Sequence, residues 1–511
     1  MNRSEVAIKG STIGVLSQII NLIVKFVVRT YAIRFLGMEI LGLDGVLIDA
    51  ISMLSLAEMG ITSAMIYRLY VPIIKDDKKT LNLLMASYRL IYTVIAVVVT
   101  VLGVMLSVFL PWIVKDIEAS WTQVYVAFFL QLACSVSSYF IAYHRILLNA
   151  DQKKHLCLIV DLVSNVFFSI VKIGVIVKLH SYSAYLAVGI LQVIGANIVL
   201  LIYTKRHYPY INNKEKAKKN DLIVIFKDAK EVLGNKLASY VYSGTDNMII
   251  SAVMGTGIVG YLSNYKYVST ALKGLVNSAM TTIQPLIGNY LNSDTSKEQS
   301  FRTLQRYTFV RYLIAGITTA PFIVLADLFV QLWAGGEIYI MSFSISVLLA
   351  ADYYIACVYG PLGEYINGMG MFKSGKYVMI AGAVSNALLS MIGVFIWGCN
   401  GVLLATVISQ LIIWIGDGII ILGKYYGAEK RYIKEYILKH ASYIVYVSAS
   451  TFIGRTFSIV IDVENLWLKF FVVGVVTAVS FLIIAISFCR KTDEYKYTKE
   501  MFFKVLKKLR R

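Results

Sequence analysis

Stretches of about twenty apolar residues, each long enough to cross a hydrocarbon layer roughly 30 Å thick, recur along this chain and dictate what it can become. They lie near 11–35, 41–67, 83–113, 120–146, 156–178 and 183–204, then 228–252, 256–285, 302–326, 340–366, 377–397 and 401–423, and finally 436–454 and 465–489. Lipid offers no hydrogen-bond partner to an open backbone, so each stretch reads as a helix. The expected fold is an all-α integral membrane protein with about 14 transmembrane helices. A soluble fold is excluded: charged residues make up 15% of the 511 and hydrophobic ones 58%, where soluble domains carry roughly 25% charge.

The charges that remain sit in the connections. Lysine and arginine outnumber aspartate and glutamate 49 to 30, a net charge of +19. One set of loops holds Lys75, Lys78, Lys79, Lys153, Lys154, Lys205, Lys219, Lys373, Lys376, Lys430 and Lys434; the alternate set is short and nearly bare. The positive-inside rule therefore puts both termini in the cytoplasm. Basic residues that punctuate apolar runs build no folded basic face, so nucleic acid is not an expected partner. The five cysteines (Cys134, Cys157, Cys357, Cys399, Cys489) are far apart and give no metal-ligand spacing or disulfide framework. No metal and no cofactor is expected. The run from Ile13 to Phe35 contains Gln18, Asn21, Lys25 and Arg29 and reads as a retained span, not a cleaved signal.

The chain repeats itself. Asn149 and Asn367, each before a basic loop, differ by 218; Val163-Ser164-Asn165 and Val384-Ser385-Asn386 by 221; Gly37 and Gly42 map by 218 onto Gly255 and Gly260. Six spans separate the equivalents, an even number, so the repeats are parallel, related by an axis along the membrane normal. The expected organisation is two pseudo-symmetric six-helix lobes, 1–206 and 228–425, forming a central cleft and joined by a cytoplasmic linker 207–227. An extra helix pair over 426–490 and a basic cytoplasmic tail over 491–511 follow.

An ionisable side chain at membrane depth costs several kcal/mol and usually faces a cavity or a partner. On the first span Ser11, Gly14, Gln18, Asn21, Lys25 and Arg29 fall within an arc of roughly 80°. Lys266, Thr270, Lys273, Asn277 and Gln284 make a similar stripe on the eighth. The seventh carries Asn235, Ser239, Tyr242 and Asp246, and the second Asp44, Ser55, Glu58 and Thr62. These stripes predict a hydrated cavity with a cationic wall of Lys25, Arg29, Lys266 and Lys273, suited to an anionic headgroup such as a diphosphate. The alternative is that these cations neutralise Asp44, Glu58 and Asp246 in a structural network. Lys172, Lys236 and Asp417 are open between the two, and His144 stands at a membrane edge.

Several segments look familiar: Arg29 through Gly37, Leu41-Gly42-Leu43, Leu54 through Gly60, Thr245-Asp246-Asn247 to Ser251, Val259 through Tyr265, Gly375 through Asn386, and the turn Gly398 to Val402. Over essentially the whole chain the sequence resembles bacterial Wzx-type polysaccharide flippases of the multidrug/oligosaccharidyl-lipid/polysaccharide (MOP) exporter superfamily. The resemblance implies two six-helix lobes forming a V-shaped cleft, and a place in the bacterial plasma membrane. It implies flipping an undecaprenyl-diphosphate-linked oligosaccharide between leaflets by alternating access, for capsular, exopolysaccharide or O-antigen-type polymers. Driven by H+ or Na+, such a protein would work beside a polysaccharide polymerase. Asp246 and Glu58 belong to family-like motifs and, with Asp44, are candidates either for ion coupling or for bracing helices. Two other classes compete. A drug or organic-cation antiporter predicts an acidic pocket, which intramembrane lysines disfavour; a membrane polymerase or glycosyltransferase predicts a sizeable outer loop with catalytic residues, which the short outer loops do not provide.

Overall fold

The structure, a computed structural model, describes residues 3–211, 244–280, 296–369 and 371–509, leaving aside the side chains of 3–13, 15, 56–60, 63–64, 278–280, 372 and 504–509. Among the described residues it is helical with no strand, and ten helices are long and apolar enough to cross a membrane. Glu58, Asn235, Lys236, Ser239, Tyr242 and Gln284 fall outside the described residues, as do the linker beyond residue 211 and the first part of the seventh span. By packing, the chain divides into two compact units, Met1–Ser263 and Asn264–Arg511.

In the first unit the helices are α1 (Arg3–Leu36), α2 (Met38–Leu54), α3 (Leu56–Ile74), α4 (Lys78–Ser107), a short α5 (Leu110–Ile113), α6 (Trp121–Ala150), α7 (Lys154–Leu179), α8 (Tyr182–His207), α9 (Asp246–Met254) and the start of α10 (Thr256–Met280). Helix α6 is central, with α4 and α8 against it, while α1 lies along α7. The second span is not one helix. It breaks at Ser55, whose hydroxyl accepts from Tyr139 Oη at 2.8 Å and lies 3.4 Å from Ser135 Oγ, both on α6. Hydropathy cannot register this break, because a hydrogen-bonded serine costs a span little.

The repeat is visible in the backbone. Gly37 and Gly255 both take positive φ, 84° and 97°, at the turns into α2 and α10, a conformation that side chains resist. A Cβ on Gly42 would lie 2.1 Å from the Thr256 carbonyl oxygen, and one on Gly260 would lie 1.9 Å from that of Met38. Met38 and Thr256 differ by 218, as do Gly42 and Gly260, so the contact is reciprocal: each repeat offers the same glycine to the same carbonyl of the other. Such an isologous contact is what a local two-fold axis produces.

The second unit continues α10 and adds α11 (Lys297–Ala334), α12 (Phe343–Gly368), α13 (Phe372–Trp397), α14 (Cys399–Gly418) with a π-helical extension Ile419–Tyr425, α15 (Lys430–Val460), α16 (Leu466–Cys489) and α17 (Asp493–Leu509). Helix α11 organises it, packing against α12, α15, α16 and α17. At 1.5 Å per residue its 38 residues exceed the bilayer's hydrocarbon thickness, so one end projects beyond it. The core is aromatic: Tyr312 stacks on Tyr443 with centroids 4.0 Å apart, Phe481 meets Tyr312 edge-on, and Gly316 leaves the space that Phe481 fills. Helices α13 and α14 form a tight hairpin through the close approach of Gly393 and Gly401.

Candidate functional site

Helix α1 has two opposed faces. Leu16, Ile19, Ile20, Ile23 and Val27 are exposed and fall on one side, as lipid contact requires. At 100° per residue Lys25 lies about 200° from Ile23, and Asn21 and Arg29 flank it. Arg34 points back to the apolar side near the helix end, where its long stem reaches the interface.

Along that polar face runs a continuous network. Asn165 of α7 donates to Asn21 Oδ1 at 2.7 Å and accepts from Gln192 of α8 at 3.3 Å. Lys172 of α7 donates to Gln192 Oε1 at 2.7 Å and lies 5.3 Å above the Tyr185 ring, which stacks on Tyr182. Tyr182 Oη and Gln131 Nε2 each donate to Asp44 Oδ1 at 2.7 Å. Arg29 donates to Ser263 Oγ and lies in the field of Asp44, as does Lys172. Lys25 is exposed and makes no hydrogen bond or ion pair with the described residues. Five helices thus bring together three cations, one carboxylate, four side-chain amides and two tyrosines. Half-buried amides and hydroxyls satisfy each other here, so the arrangement persists without a ligand.

Asp44 is therefore held mainly by neutral donors. Asp246, in the first turn of α9, is buried, and its neighbour Asn247 donates to Asp49 of α2 at 2.8 Å. The structure thus places Arg29 within the field of Asp44, leaves Lys25 on the same face of α1 with no hydrogen bond or ion pair to the described residues, and puts Asp246 next to Asn247, which bonds Asp49 of α2.

Lys266 and Lys273 belong to the second unit. Lys266 is half-buried, in the field of Cys399 at the start of α14. Lys273, two turns on, is ion-paired with Asp352 of α12. The structural alternative raised for these cations applies to Lys273, with a different carboxylate from those named. A second intramembrane pair joins Glu364, an acid the sequence places on the tenth span, to an arginine it did not single out: Arg311, 2% exposed, is ion-paired with Glu364, donates to Tyr307 Oη at 2.9 Å and to the Cys357 carbonyl at 3.2 Å. Tyr307 in turn donates to Glu364 Oε2 at 2.6 Å. Gly360 makes the slot, since a Cβ there would lie 1.8 Å from Arg311 Nη1. The available signal was an arginine well inside a span, opposite the one glutamate of the next helix.

Residues 7–291 match the family model described as "Polysaccharide biosynthesis protein", more than half of the chain. The chain belongs to this polysaccharide biosynthesis family. No curated protein matches its sequence. Among solved structures, a lipid II flippase, MurJ, in an inward closed conformation superposes with a TM-score of 0.68 at 14% identity, covering 94% of this chain and 99% of that one. An inward-facing multidrug resistance MATE family transporter of the MOP superfamily gives a TM-score of 0.59 at 13% identity over 78% and 92%. A MOP superfamily transporter from Pyrococcus furiosus, reported with a binding pocket of reverse polarity, gives 0.51 at 15% over 80% and 94%. The polysaccharide-biosynthesis family member thus shares its fold with these MOP superfamily transporters and the lipid II flippase, and has ten helices among the described residues long and apolar enough to cross a membrane.

Proposed function

We propose that this protein flips undecaprenyl-diphosphate-linked oligosaccharide repeat units from the inner to the outer leaflet of the bacterial plasma membrane by alternating access. The product feeds capsular, exopolysaccharide or O-antigen-type polymer synthesis. The observation that supports this reading is that Lys25 and Arg29 share one face of α1 with Lys172 of α7 close by, among amides and tyrosines. Cations replace the hydration of a diphosphate, while amides and tyrosine rings suit sugar hydroxyls and faces.

In this reading Lys25 and Arg29 of the first unit hold the diphosphate; Lys266, of the second unit, is the further cation the sequence assigns to substrate binding. Lys273, neutralised by Asp352, contributes less. Both termini are cytoplasmic, a polysaccharide polymerase takes up the product, and an H+ or Na+ gradient gives direction, with Asp246, Glu58 or Asp44 available for coupling. An organic-cation antiporter would need the opposite sign of charge at the same place. The test is translocation of a polyprenyl-diphosphate oligosaccharide in vesicles containing the purified protein. Transport is expected in the parent and about ten-fold or more loss in Lys25→Ala plus Arg29→Ala, equivalent to losing one charge-assisted contact or more. Undiminished transport in that variant refutes the cationic site.

A further inference from the structure

In the second unit an intramembrane carboxyl has no cation paired with it among the described residues. Asp417, in the last turn of α14, is 4% exposed. Tyr359 of α12 donates to its Oδ2, and its Oδ1 has no hydrogen-bond partner among the described residues. Of the elements packed around it, α12 presents Tyr359, α13 presents Val378 beside Gly416, and α15 presents Tyr436, whose ring oxygen lies in the field of Asp417. Among the described residues no lysine or arginine is ion-paired or hydrogen-bonded to it. The π-helical segment Ile419–Tyr425 starts two residues later, and such segments are enriched where helices do more than span.

A line of polar atoms leads away from this carboxyl. Tyr436 Oη accepts from Trp414 Nε1 at 3.1 Å, and the Tyr436 ring lies 4.0 Å from the His440 ring. His440 Nδ1 is taken by the Tyr436 carbonyl at 2.8 Å, which leaves Nε2 facing inward without a partner. There a cavity of about 10 Å³ is lined by Gln305, Thr308, Tyr436, Lys439, His440 and Tyr443. Gln305 Nε2 and Thr308 Oγ1 are also unpartnered. Three orphaned polar atoms around space for one water are the usual setting of an ordered buried water. On its far side the cavity shares Gln305 and Lys439 with an open charged pocket of about 310 Å³ between the ends of α11, α15 and α17. Lys439 spans the junction, donating to Gln305 Oε1 at 2.7 Å and ion-pairing with Glu435 and Glu494.

We propose that Asp417 is a proton-binding site of the transporter, reached from the charged pocket through the Gln305–Lys439 junction, one water beside His440, and Tyr436. The proton comes from bulk water, adds to the carboxylate and takes its charge from −1 to 0, and leaves by the same oxygens. A neutral carboxyl needs no counter-cation at this depth, whereas an ionised one does, so proton occupancy alters how α14 packs on α12 and α15. This rests on the transport reading for its use, though not for its existence.

The experiment uses the full chain in phosphatidylethanolamine–phosphatidylglycerol vesicles, with infrared difference spectra recorded across a pH jump. A deuterium-sensitive protonated-carboxyl band is expected in the parent, lost in Asp417→Asn, moved to higher frequency in Tyr359→Phe, and filled more slowly in His440→Phe. Identical spectra for the parent and Asp417→Asn overturn the site. If Asp417→Asn does not fold, an unmoved band in Tyr359→Phe overturns it. In parallel, translocation of lipid-linked oligosaccharide is measured with and without an imposed pH gradient. Loss of gradient acceleration in Asp417→Asn, with exchange at equal pH retained, supports coupling through this residue; acceleration equal to the parent's overturns it. A protein that shows the Asp417 band and translocates nothing keeps the proton site and removes the transport reading.

Discussion

The reciprocal contact between Gly42 and Gly260 makes a quantitative demand. A methyl at either position meets a backbone carbonyl oxygen at 2.1 Å or 1.9 Å, where ordinary contact begins at 3.4 Å. Neither oxygen can swing away as a side chain would, so α2 and α10 must part by about 1 Å. Over-packing of this kind costs about 1–3 kcal/mol, and a collision with backbone belongs at the upper end. Glycine-to-alanine within a helix gives back about 1 kcal/mol. Each of Gly42→Ala and Gly260→Ala is therefore expected to lose about 2 kcal/mol, while Gly174→Ala on α7, whose Cβ meets nothing within 4 Å, gains rather than loses. The sharper test is the double variant. Because one parting of the helices makes room for both methyls, its cost should fall short of the sum by about 1 kcal/mol or more, the coupling seen between sites that share a backbone shift. The assay is equilibrium unfolding in mixed detergent micelles, followed by helical circular dichroism. Additive losses, or single variants as stable as Gly174→Ala, would refute a shared, symmetric contact.

Other outcomes follow from the same geometry. Gly360→Ala drives Arg311 off Glu364 and is expected to cost about 3–5 kcal/mol, the range for breaking a buried ion pair by one side, measured by the same unfolding assay; an effect near zero counts against a tight slot. Lys273→Ala should slow translocation less than Lys25→Ala does, because Asp352 already neutralises Lys273; the reverse order would reassign the cationic site to the second unit. Arg306 beside Asp493 holds that carboxyl below its usual range. A depressed native value means the bond stabilises α17 docking above the ordinary carboxylate pKa of about 3.9 and is lost as pH falls below it. Half-exposed, the pair is worth about 0.2–1 kcal/mol; the protection factors of amides at the start of α17, taken relative to intrinsic exchange at each pH, should fall below about pH 4 in the parent, and protection that is flat with pH contradicts it.

How far the sequence carried this reading differs by level. The helix ends agree within a few residues where a charged loop marks them, as at 183–204 against Tyr182–His207, because hydropathy and helix length report the same solvent boundary. The repeat was legible through glycine, since positive φ at Gly37 and Gly255 and close approach at Gly42 and Gly260 tolerate little else. Helical phase sets Lys25 on the side of α1 opposite Ile23 and the other exposed apolar residues. It did not reveal that Lys273 meets Asp352, 79 residues away, or that Arg311 meets Glu364. Phase gives the direction of a side chain on its own helix, whereas a partner depends on which helix comes to lie there. The Ser55 break and the π segment after Asp417 were missed for a related reason: both depend on hydrogen bonds made by single residues, to which an average over a span is blind.

Lys25 separates the two accounts of the α1 stripe. Asn21 is satisfied by Asn165, and Arg29 has Ser263 and the field of Asp44; Lys25 between them has neither hydrogen bond nor ion pair among the described residues and is exposed. Eleven residues separate it from the helix end at Leu36, about 16 Å at 1.5 Å per residue, near mid-depth of a layer roughly 30 Å thick and beyond what a lysine stem covers by snorkelling. It points away from Ile23 and the apolar stripe, and in the proposed site its ammonium is solvated by water inside the protein. That water is measurable. In a chain whose five native cysteines are replaced, Lys25→Cys should react with a membrane-impermeant thiol reagent, while Ile23→Cys, two residues away on the lipid face, should not, because the thiolate that reacts forms only in a polar setting. A lipid-linked diphosphate added beforehand should slow the reaction at position 25. Equal reactivity at the two positions, or none at 25, would leave the lysine in hydrocarbon and remove the wet cationic face on which flipping of an anionic headgroup depends.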